Sequence, residues 1–231
     1  MKYMGSKSRH AKEILNIILK NRTNNQWYVE PFVGGANVID KVTGPRLGAD
    51  INPYLIQMLD KASEGWLPPE HITEKEYIEI KNNKDEYPPE LVGYCGFALS
   101  YGGKWFGGWR RDSQNKRNYV KEARSNALKQ FPKLSGAVFK CSSYDNLEIP
   151  PQSIIYCDPP YKGTTKYINK FDHEKFYRWC NELDNLGHEV FISEYDMPEG
   201  FTCIWEKSVA SSLTKDTGAR RNIEKLFKVK K

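Results

Sequence analysis

Apolar and polar residues recur along the chain with two periods, and the changes between these periods predict an alternation of strands and helices. A helix is expected from a cap at Ser6 or Ser8 to about residue 21. Its buried face would be formed by Ala11, Ile14, Leu15 and Ile18. The next segments predict strands at 27–33 and 46–51 and helices at 36–41 and 53–62. This order is typical of a parallel sheet covered by helices.

The pattern changes between residues 68 and 132, where helical segments follow one another without strands. Helices are predicted at 73–82 and 89–99, before a loop rich in glycine and aromatic residues, YGGKWFGGWRRD, and a basic helix at 119–130. Strands then return at 138–141, 154–158, 189–193, 201–206 and 223–229, with a helix at 173–186. We interpret this as one α/β domain, residues 1–55 and 137–231, interrupted by a mainly helical insertion at 56–136.

Charge is concentrated in this insertion. Between Tyr101 and Lys140 there are ten Lys or Arg residues and two acids, whereas Pro68 to Glu90 contains seven acids and three lysines. A basic internal segment in a chain of net charge +6 indicates a polyanionic partner such as nucleic acid. An unevenly charged, solvated surface would show the same pattern.

Composition narrows the class of protein further. With 39% hydrophobic and 28% charged residues, the chain is expected to be globular. No apolar run approaches the roughly 18 residues that span a bilayer, and we recognise no secretory signal, so a cytoplasmic location is expected. The five scattered cysteines are expected to be reduced thiols, and together with four dispersed histidines they predict no metal site.

Paired glycines stand where the first predicted strand meets its helix, in the segment EPFVGG at residues 30–35. Glycine permits positive φ and a close approach of a ligand to the backbone, but this is not a complete GxGxxG fingerprint. Asp50 ends the next predicted strand, where a carboxylate can accept hydrogen bonds from both hydroxyls of an adenosine ribose. A tight turn and an Asp that caps the following helix would explain the same residues.

The tetrapeptide Asp158-Pro159-Pro160-Tyr161 follows the fourth predicted strand, at the sheet edge where doubly wound folds bind ligands. Proline has no N–H, so this strand end offers only acceptors, a carboxylate and main-chain carbonyls. Such a pair suits an exocyclic amine with two N–H donors, and Tyr161 offers an aromatic face on which a base can stack. A stiff turn is the plain structural alternative.

Taken together, these motifs resemble those of the Dam-type, or D12 class, DNA adenine-N6 methyltransferases, in the order of the family's α group. The resemblance spans nearly the whole chain: the Y-x-G-S-K motif at residues 3–7, the E-P-F-x-G-G loop at 30–35, the acid at 50, the catalytic tetrapeptide at 158–161 and the strand after it at 187–193. It implies a Rossmann-like mixed sheet of the S-adenosylmethionine-dependent methyltransferase type, with an inserted target-recognition domain. It also implies a site-specific enzyme in the cytoplasm of a bacterial or phage-infected cell. The sequence does not distinguish among service in a restriction–modification system, in a phage and in host regulation.

The resemblance assigns roles to individual residues. Catalysis would fall to Asp158, Pro159, Pro160 and Tyr161, which would hold and stack a flipped-out adenine. S-adenosylmethionine would be bound by Tyr3, Lys7, Glu30, Pro31, Phe32, Gly34, Gly35, Asp50, Asp145 and Asp158. Tyr3 and Lys7 could also be ordinary packing and surface residues, and an Asp such as Asp145 is common at a strand end.

Double-stranded DNA is the expected partner, and the basic insertion the expected contact surface. The residues proposed for it are Lys104, Trp105, Arg110, Arg111, Lys116, Arg117 and Arg124. Phosphate contact is the expected role of any single one, although Arg110, Arg111 or Arg117 could instead read guanine, each worth about 1–3 kcal/mol of discrimination. The loop YGGKWFGGWRRD departs from the family's recognition hairpin, so the resemblance does not extend to the DNA sequence recognised.

Other functions fit parts of the pattern. The same tetrapeptide serves methylation of cytosine N4 or of a glutamine amide, but the basic insertion favours DNA and the whole-chain resemblance favours adenine. A DNA-binding module that has lost catalysis is a second alternative, which the intact motifs disfavour. A nicotinamide-dependent oxidoreductase would need a fuller glycine fingerprint.

Overall fold

A single sheet of seven strands forms the centre of the protein, as seen in the computed structural model, which describes residues 1–112, 114, 116–162, 171–209 and 222–230. The strands are β1 Tyr28–Glu30, β2 Arg46–Asp50, β3 Val138–Cys141, β4 Ile154–Cys157, β5 Glu189–Glu194, β6 Phe201–Val209 and β7 Asn222–Val229. Their spatial order is β3-β2-β1-β4-β5-β7-β6. The first five strands run parallel, and β7 is antiparallel to both β5 and β6. This mixed α/β sheet of Rossmann-like order confirms the predicted fold class.

Six α-helices accompany the sheet in the described ranges, and none of these has the length and apolar character that crossing a membrane requires. They are α1 Ala11–Ile18, α2 Pro53–Ser63, α3 Glu74–Asn82, α4 Pro89–Ala98, α5 Tyr119–Gln130 and α6 His173–Asn185.

Both faces of the central strands are buried, which explains their continuous apolar sequences. Side chains of β4 alternate between the two faces: Ile154 and Tyr156 join one hydrophobic cluster, whereas Ile155 and Cys157 join the other. The first cluster contains residues of α1, α2, α4 and α5, and the second contains residues of α6. Helices therefore cover the sheet on both sides.

The order of the strands determines where a ligand can bind. From β1 the chain proceeds to β2 and β3 on one side, and then to β4 and β5 on the other. The crossover connections therefore diverge between β1 and β4, and in open α/β sheets the crevice beyond the carboxyl ends of the strands at this point receives ligands.

Three predicted elements near the N-terminus are shorter than expected. Helix α1 begins at Ala11 rather than near Ser6 or Ser8, and no side chain caps it. The predicted helix at 36–41 is wrong beyond one 3-10 turn at Ile39–Lys41, because Gly34 and Ala36 have φ of +46° and +53°, which a right-handed helix excludes. The first strand is correspondingly limited to β1.

The helices of the insertion pack directly on the sheet domain. Helix α4 lies so close to α2 that a Cβ added at Gly93 would be 2.2 Å from the Tyr54 carbonyl oxygen. Residues from α3, α4 and α5 share one hydrophobic cluster with β1 and β4. The predicted domain limits stay a prediction, and residues 113, 115, 163–170, 210–221 and 231 lie outside the described part of the chain.

Candidate active site

Four carboxylates meet at the carboxyl edge of the sheet. Glu30 ends β1, Asp50 ends β2, Asp158 directly follows β4, and Glu194 ends β5. They converge because parallel strands end at the same edge, two of them on either side of the crevice between β1 and β4. The carboxylates of Glu30 and Glu194 are almost fully buried.

Asp158 is at the centre of this group and pairs with a lysine from the N-terminal segment. The Nζ atom of Lys7 lies 3.1 Å from Asp158 Oδ1 and 3.5 Å from Glu224 Oε2 on β7. The same nitrogen lies 4.5 Å from the centroid of the Tyr161 ring. The Tyr161 hydroxyl donates a hydrogen bond of 3.1 Å to Glu224 Oε2. The structure therefore brings Lys7 from the N-terminal segment beside Asp158 and Tyr161, which lie far from it in the sequence.

Burial and ion pairing act against each other in this group. Burial raises the pKa of Asp158, and the adjacent Lys7 ammonium opposes that effect. Burial by itself lowers the pKa of Lys7, but the carboxylates of Asp158 and Glu224 outweigh it, so that the pKa of Lys7 is raised. Lys7 is therefore an ammonium at neutral pH, although its side chain is only 8% exposed.

Glu194 connects the loops that follow β4 and β5. Its carboxylate accepts the backbone N–H of Lys162 at 3.2 Å and that of Tyr195 at 2.8 Å. The Tyr195 ring meets the Tyr161 ring edge to face, with centroids 4.6 Å apart. Burial raises the pKa of Glu194 to about 7, against the effect of the two N–H donors. Glu194 thus holds the backbone just after the Asp-Pro-Pro-Tyr segment.

The glycine turn after β1 is covered by the N-terminal segment. A Cβ at Gly34 would lie 2.7 Å from the Tyr3 ring, and one at Gly35 would lie 2.5 Å from Tyr3 Cβ. From the other side, a Cβ at Gly103 in the aromatic loop would lie 2.7 Å from Tyr3 Cα. Tyr3 therefore occupies space that only glycines leave free, and it connects the predicted cofactor loop with the insertion.

Asp50 accepts backbone hydrogen bonds at the end of β2 and does not cap helix α2. Its Oδ1 accepts the backbone N–H of Asn52 at 3.0 Å, and the backbone of Gly34 also donates to its carboxylate. Burial raises its pKa nonetheless. The cap of α2 is Asn52, whose side chain accepts the Leu55 N–H at 3.0 Å. The alternative in which Asp50 caps this helix is therefore wrong.

Glu30 is buried beside Pro31, and its Oε1 accepts a hydrogen bond of 2.7 Å from the Tyr28 hydroxyl. Burial raises the pKa of Glu30 to about 8 in spite of this bond. At neutral pH the carboxyl group therefore holds a proton, and it is a neutral partner for Tyr28.

Aromatic rings line the neighbouring part of the edge. Phe32 stacks on Tyr144 with ring centroids 5.4 Å apart, and both rings contact Phe176 of α6. Asp145, in the same 3-10 turn as Tyr144, forms an ion pair of 2.6 Å with Lys175. The hydrogen bond from Lys175 lowers the pKa of Asp145. A role of Asp145 in binding adenine stays a prediction.

The basic insertion contains two kinds of arginine. The Arg110 side chain is 6% exposed, pairs with Glu122 at 3.1 Å and lies 4.2 Å over the Tyr119 ring. The Arg111 side chain is 73% exposed and pairs with Glu74. Arg110 is thus buried and packed within the insertion, whereas Arg111 faces solvent.

The remaining residues proposed for DNA contact divide in the same way. Lys104, Lys116 and Arg117 are exposed, although Arg117 pairs with Glu122. Arg124 is partly buried, and its Nε donates to the Pro68 carbonyl oxygen at 3.1 Å. Trp105 stacks on Tyr54 with centroids 5.6 Å apart and so belongs partly to the core. Their contacts with DNA stay predictions.

Two acids of the site were not predicted from the sequence. Glu194 follows an apolar strand just as Asp158 does, so the strand-end criterion could have identified it. Glu224 lies inside an antiparallel strand with no comparable sequence signal. Among the described residues, no group of His, Cys, Asp and Glu has the arrangement of a metal site.

Solved structures similar to this chain share little sequence with it. A conserved hypothetical protein from Streptococcus pyogenes is 11% identical, with 95% of each chain covered and a TM-score of 0.38. The "putative methylase HI0767" from Haemophilus influenzae is 10% identical, with 95% of this chain and 87% of that chain covered and a TM-score of 0.36. SMU.472, a "putative methyltransferase complexed with SAH", is 12% identical, with 99% of this chain and 54% of that chain covered and a TM-score of 0.41.

No curated protein matches the sequence. The model of one protein family does, over residues 3–90 and 91–191, which include the N-terminal motif, the glycine turn and the Asp-Pro-Pro-Tyr segment. The chain belongs to the D12 class N6 adenine-specific DNA methyltransferase family.

Proposed function

We propose that this DNA adenine methyltransferase uses S-adenosylmethionine to methylate N6 of an adenine that is turned out of double-stranded DNA into the site around Asp158. One observation carries the proposal. Asp158 is partly buried directly after β4, is followed by two residues without N–H groups, and pairs with the Lys7 ammonium, which lies over the Tyr161 ring. This strand end offers acceptors and an aromatic face, which is what an exocyclic amine on a flat base requires.

The ends of β1 and β2 fit the cofactor. Asp50 would accept the ribose hydroxyls, because its partly buried carboxylate already serves as an acceptor for backbone donors. Phe32 lies on the aromatic surface next to Asp145, where an adenine ring can pack. Gly34 and Gly35 keep the turn compact under Tyr3. When bound, S-adenosylmethionine supplies a methyl group on a positively charged sulfur.

The residues after β4 would orient the target amine. The Asp158 carboxylate and the Pro159 carbonyl each accept a hydrogen bond from one N6–H group, which directs the nitrogen lone pair away from these two acceptors and toward the methyl donor. Tyr161 stacks on the base, a contact worth about 1–3 kcal/mol, which offsets the few kcal/mol that unstacking the base costs. The carboxylate of Asp158, whose pKa burial raises, then receives the proton that N6 releases.

The exposed basic residues of the insertion would bind DNA phosphates. Lys104, Arg111, Lys116 and Arg117 face solvent, so each can approach the DNA backbone. We expect affinity to fall with salt in proportion to the number of phosphates contacted.

Transfer of a labelled methyl group from S-adenosylmethionine to DNA tests this function. Asp158→Ala should reduce transfer at least about a thousandfold, because both the acceptor and the orientation of the amine are lost. Binding of the cofactor, measured by calorimetry, should survive in that variant. Asp85→Ala, at an exposed acid of the insertion, serves as the control and should retain activity.

The labelled nucleosides distinguish the alternatives. N6-methyladenine supports the proposal, N4-methylcytosine would replace it by the cytosine alternative, and DNA binding without transfer would indicate a module that has lost catalysis. Equal transfer by Asp158→Ala and wild type would refute the role of Asp158. Sequencing of the methylated DNA identifies the recognition site.

A further inference from the structure

Glu224 reaches the candidate active site from a part of the chain to which no function has been assigned. It lies on β7, outside the residues 3–191 that match the family. In the antiparallel pairing of β5 and β7, its neighbour Lys225 lies opposite Glu194. Glu224 is therefore at the carboxyl end of β5, beside the residues that follow β4.

The Glu224 carboxylate has two partners there, and both belong to the proposed machinery. Its Oε2 accepts the Tyr161 hydroxyl at 3.1 Å and lies 3.5 Å from Lys7 Nζ. The side chain is only 16% exposed. One oxygen thus contacts both the ring proposed to stack on the base and the only cation described beside Asp158.

Lys7 lies between the carboxylates of Asp158 and Glu224, within ion-pair distance of both. Its nitrogen lies 3.1 Å from Asp158 Oδ1 and 4.5 Å from the Tyr161 ring centroid. The amino group of a target base is proposed to bind the same Asp158 carboxylate, and the base to stack on the same Tyr161 ring. The Lys7 ammonium and the substrate amine therefore compete for the Asp158 carboxylate.

A buried ammonium can leave one carboxylate only if another one receives it, because an unpaired buried charge is strongly unfavourable. Glu224 already lies within ion-pair distance of Lys7. A small movement of the lysine side chain toward Glu224 frees Asp158 and keeps the charge paired. The same carboxylate holds the Tyr161 hydroxyl, so the ring keeps its orientation while Lys7 moves.

We propose that Glu224 is a positioning residue for methyl transfer: it receives the Lys7 ammonium when the target amine binds Asp158, and it orients the Tyr161 ring through its hydroxyl. This inference rests on the proposed function of Asp158.

Glu224→Gln separates the two contacts. The amide oxygen still accepts the Tyr161 hydroxyl, but the charge that would receive Lys7 is gone. We expect kcat to fall about tenfold to a hundredfold, which corresponds to the loss of one charge-assisted hydrogen bond, while KM for DNA and for S-adenosylmethionine changes less than about threefold. Glu224→Ala removes both contacts and should lower kcat further.

Glu206→Gln is the matched control, since Glu206 is exposed on β6 of the same hairpin and lies opposite Lys225. Its kinetic constants should equal those of the wild type. Thermal unfolding of all variants shows whether the hairpin is retained. Fluorescence of 2-aminopurine at the target position reports directly on the stacking of the base, and Glu224→Ala should alter it more than Glu224→Gln.

Each outcome has one interpretation. A lower kcat in Glu224→Gln at unchanged KM and melting temperature supports the positioning role. Equal kcat in Glu224→Gln and Glu206→Gln, a change confined to KM, or a loss of activity that follows a loss of fold overturns it. If the wild-type protein transfers no methyl group, the proposed function fails and the role of Glu224 fails with it, whereas an active wild type with an equally active Glu224→Gln overturns the role of Glu224 alone.

Discussion

Replacement of Glu30 by glutamine measures how strongly burial at the sheet edge shifts the pKa of this carboxyl group. Glu30 is 3% exposed at the end of β1, and the Tyr28 hydroxyl donates to it at 2.7 Å. Glutamine has nearly the same shape and retains an acceptor for this hydroxyl, so the substitution removes the titration and little else.

The direction in which stability changes with pH follows from the number of protons bound by the folded and by the unfolded protein. Burial raises the pKa of Glu30 from an ordinary 4.5 to about 8, so between these pH values the folded protein holds a proton that the unfolded chain has lost. The free energy of unfolding of the wild type must then decrease as the pH rises through this window. The loss is complete above the folded pKa and amounts to about 5 kcal/mol, of which about 1.5 kcal/mol falls between pH 7 and pH 9.

Urea unfolding at pH 6, 7, 8 and 9 without cofactor measures the effect. The unfolding free energy of Glu30→Gln minus that of the wild type should increase by about 1.5 kcal/mol from pH 7 to pH 9. Other groups titrate in both proteins and largely cancel in the difference. Glu199→Gln, at an exposed position, should shift stability by less than about 0.5 kcal/mol. A difference that stays constant with pH would show that Glu30 is ionised in the folded protein and would refute the reasoning.

Two further predictions concern the insertion. Gly103→Ala should weaken binding of S-adenosylmethionine at least about tenfold in calorimetry, because its Cβ would displace the Tyr3 backbone. Gly136→Ala is the control: its φ is similar but no atom lies within 4 Å, so it should lose only about 1 kcal/mol of stability through backbone strain. Equal binding by both variants would contradict this. Arg110→Ala should destabilise the fold by about 1–3 kcal/mol in urea unfolding, since it removes a buried guanidinium from its pair with Glu122. Arg111→Ala should leave stability unchanged and reduce the salt dependence of DNA binding by about one phosphate contact. The reverse assignment of the two effects would be inconsistent with the structure.

Local sequence signals determined most elements and the place of the catalytic segment. The limits of β3 and α5 were predicted to the residue, because the signals that begin and end these elements act over a few neighbours; in the structure the Asn118 side chain caps α5. The same locality explains why Asp50 and Asp158 were expected at one edge, since each directly follows a strand whose parallel direction follows from the strand–helix alternation.

The sequence was less informative where backbone conformation or distant packing decides. The turn after β1 was predicted to become a helix, but positive φ at Ala36 prevents it, and alanine carries no local signal for that conformation. The basic insertion was correctly seen as a charged segment, but only packing separates buried Arg110 from its exposed neighbour Arg111.

The sequence by itself therefore determined the order of strands and helices, the parallel sheet and the position of an acceptor-rich strand end at its edge. Only the tertiary structure decided which groups surround that strand end. Lys7, Asp158 and Glu224 come from the N-terminal segment, a parallel strand end and an antiparallel hairpin, and no local pattern relates them. Their meeting follows from the pairing of β7 with β5, because pairing between distant strands depends on the whole packed fold.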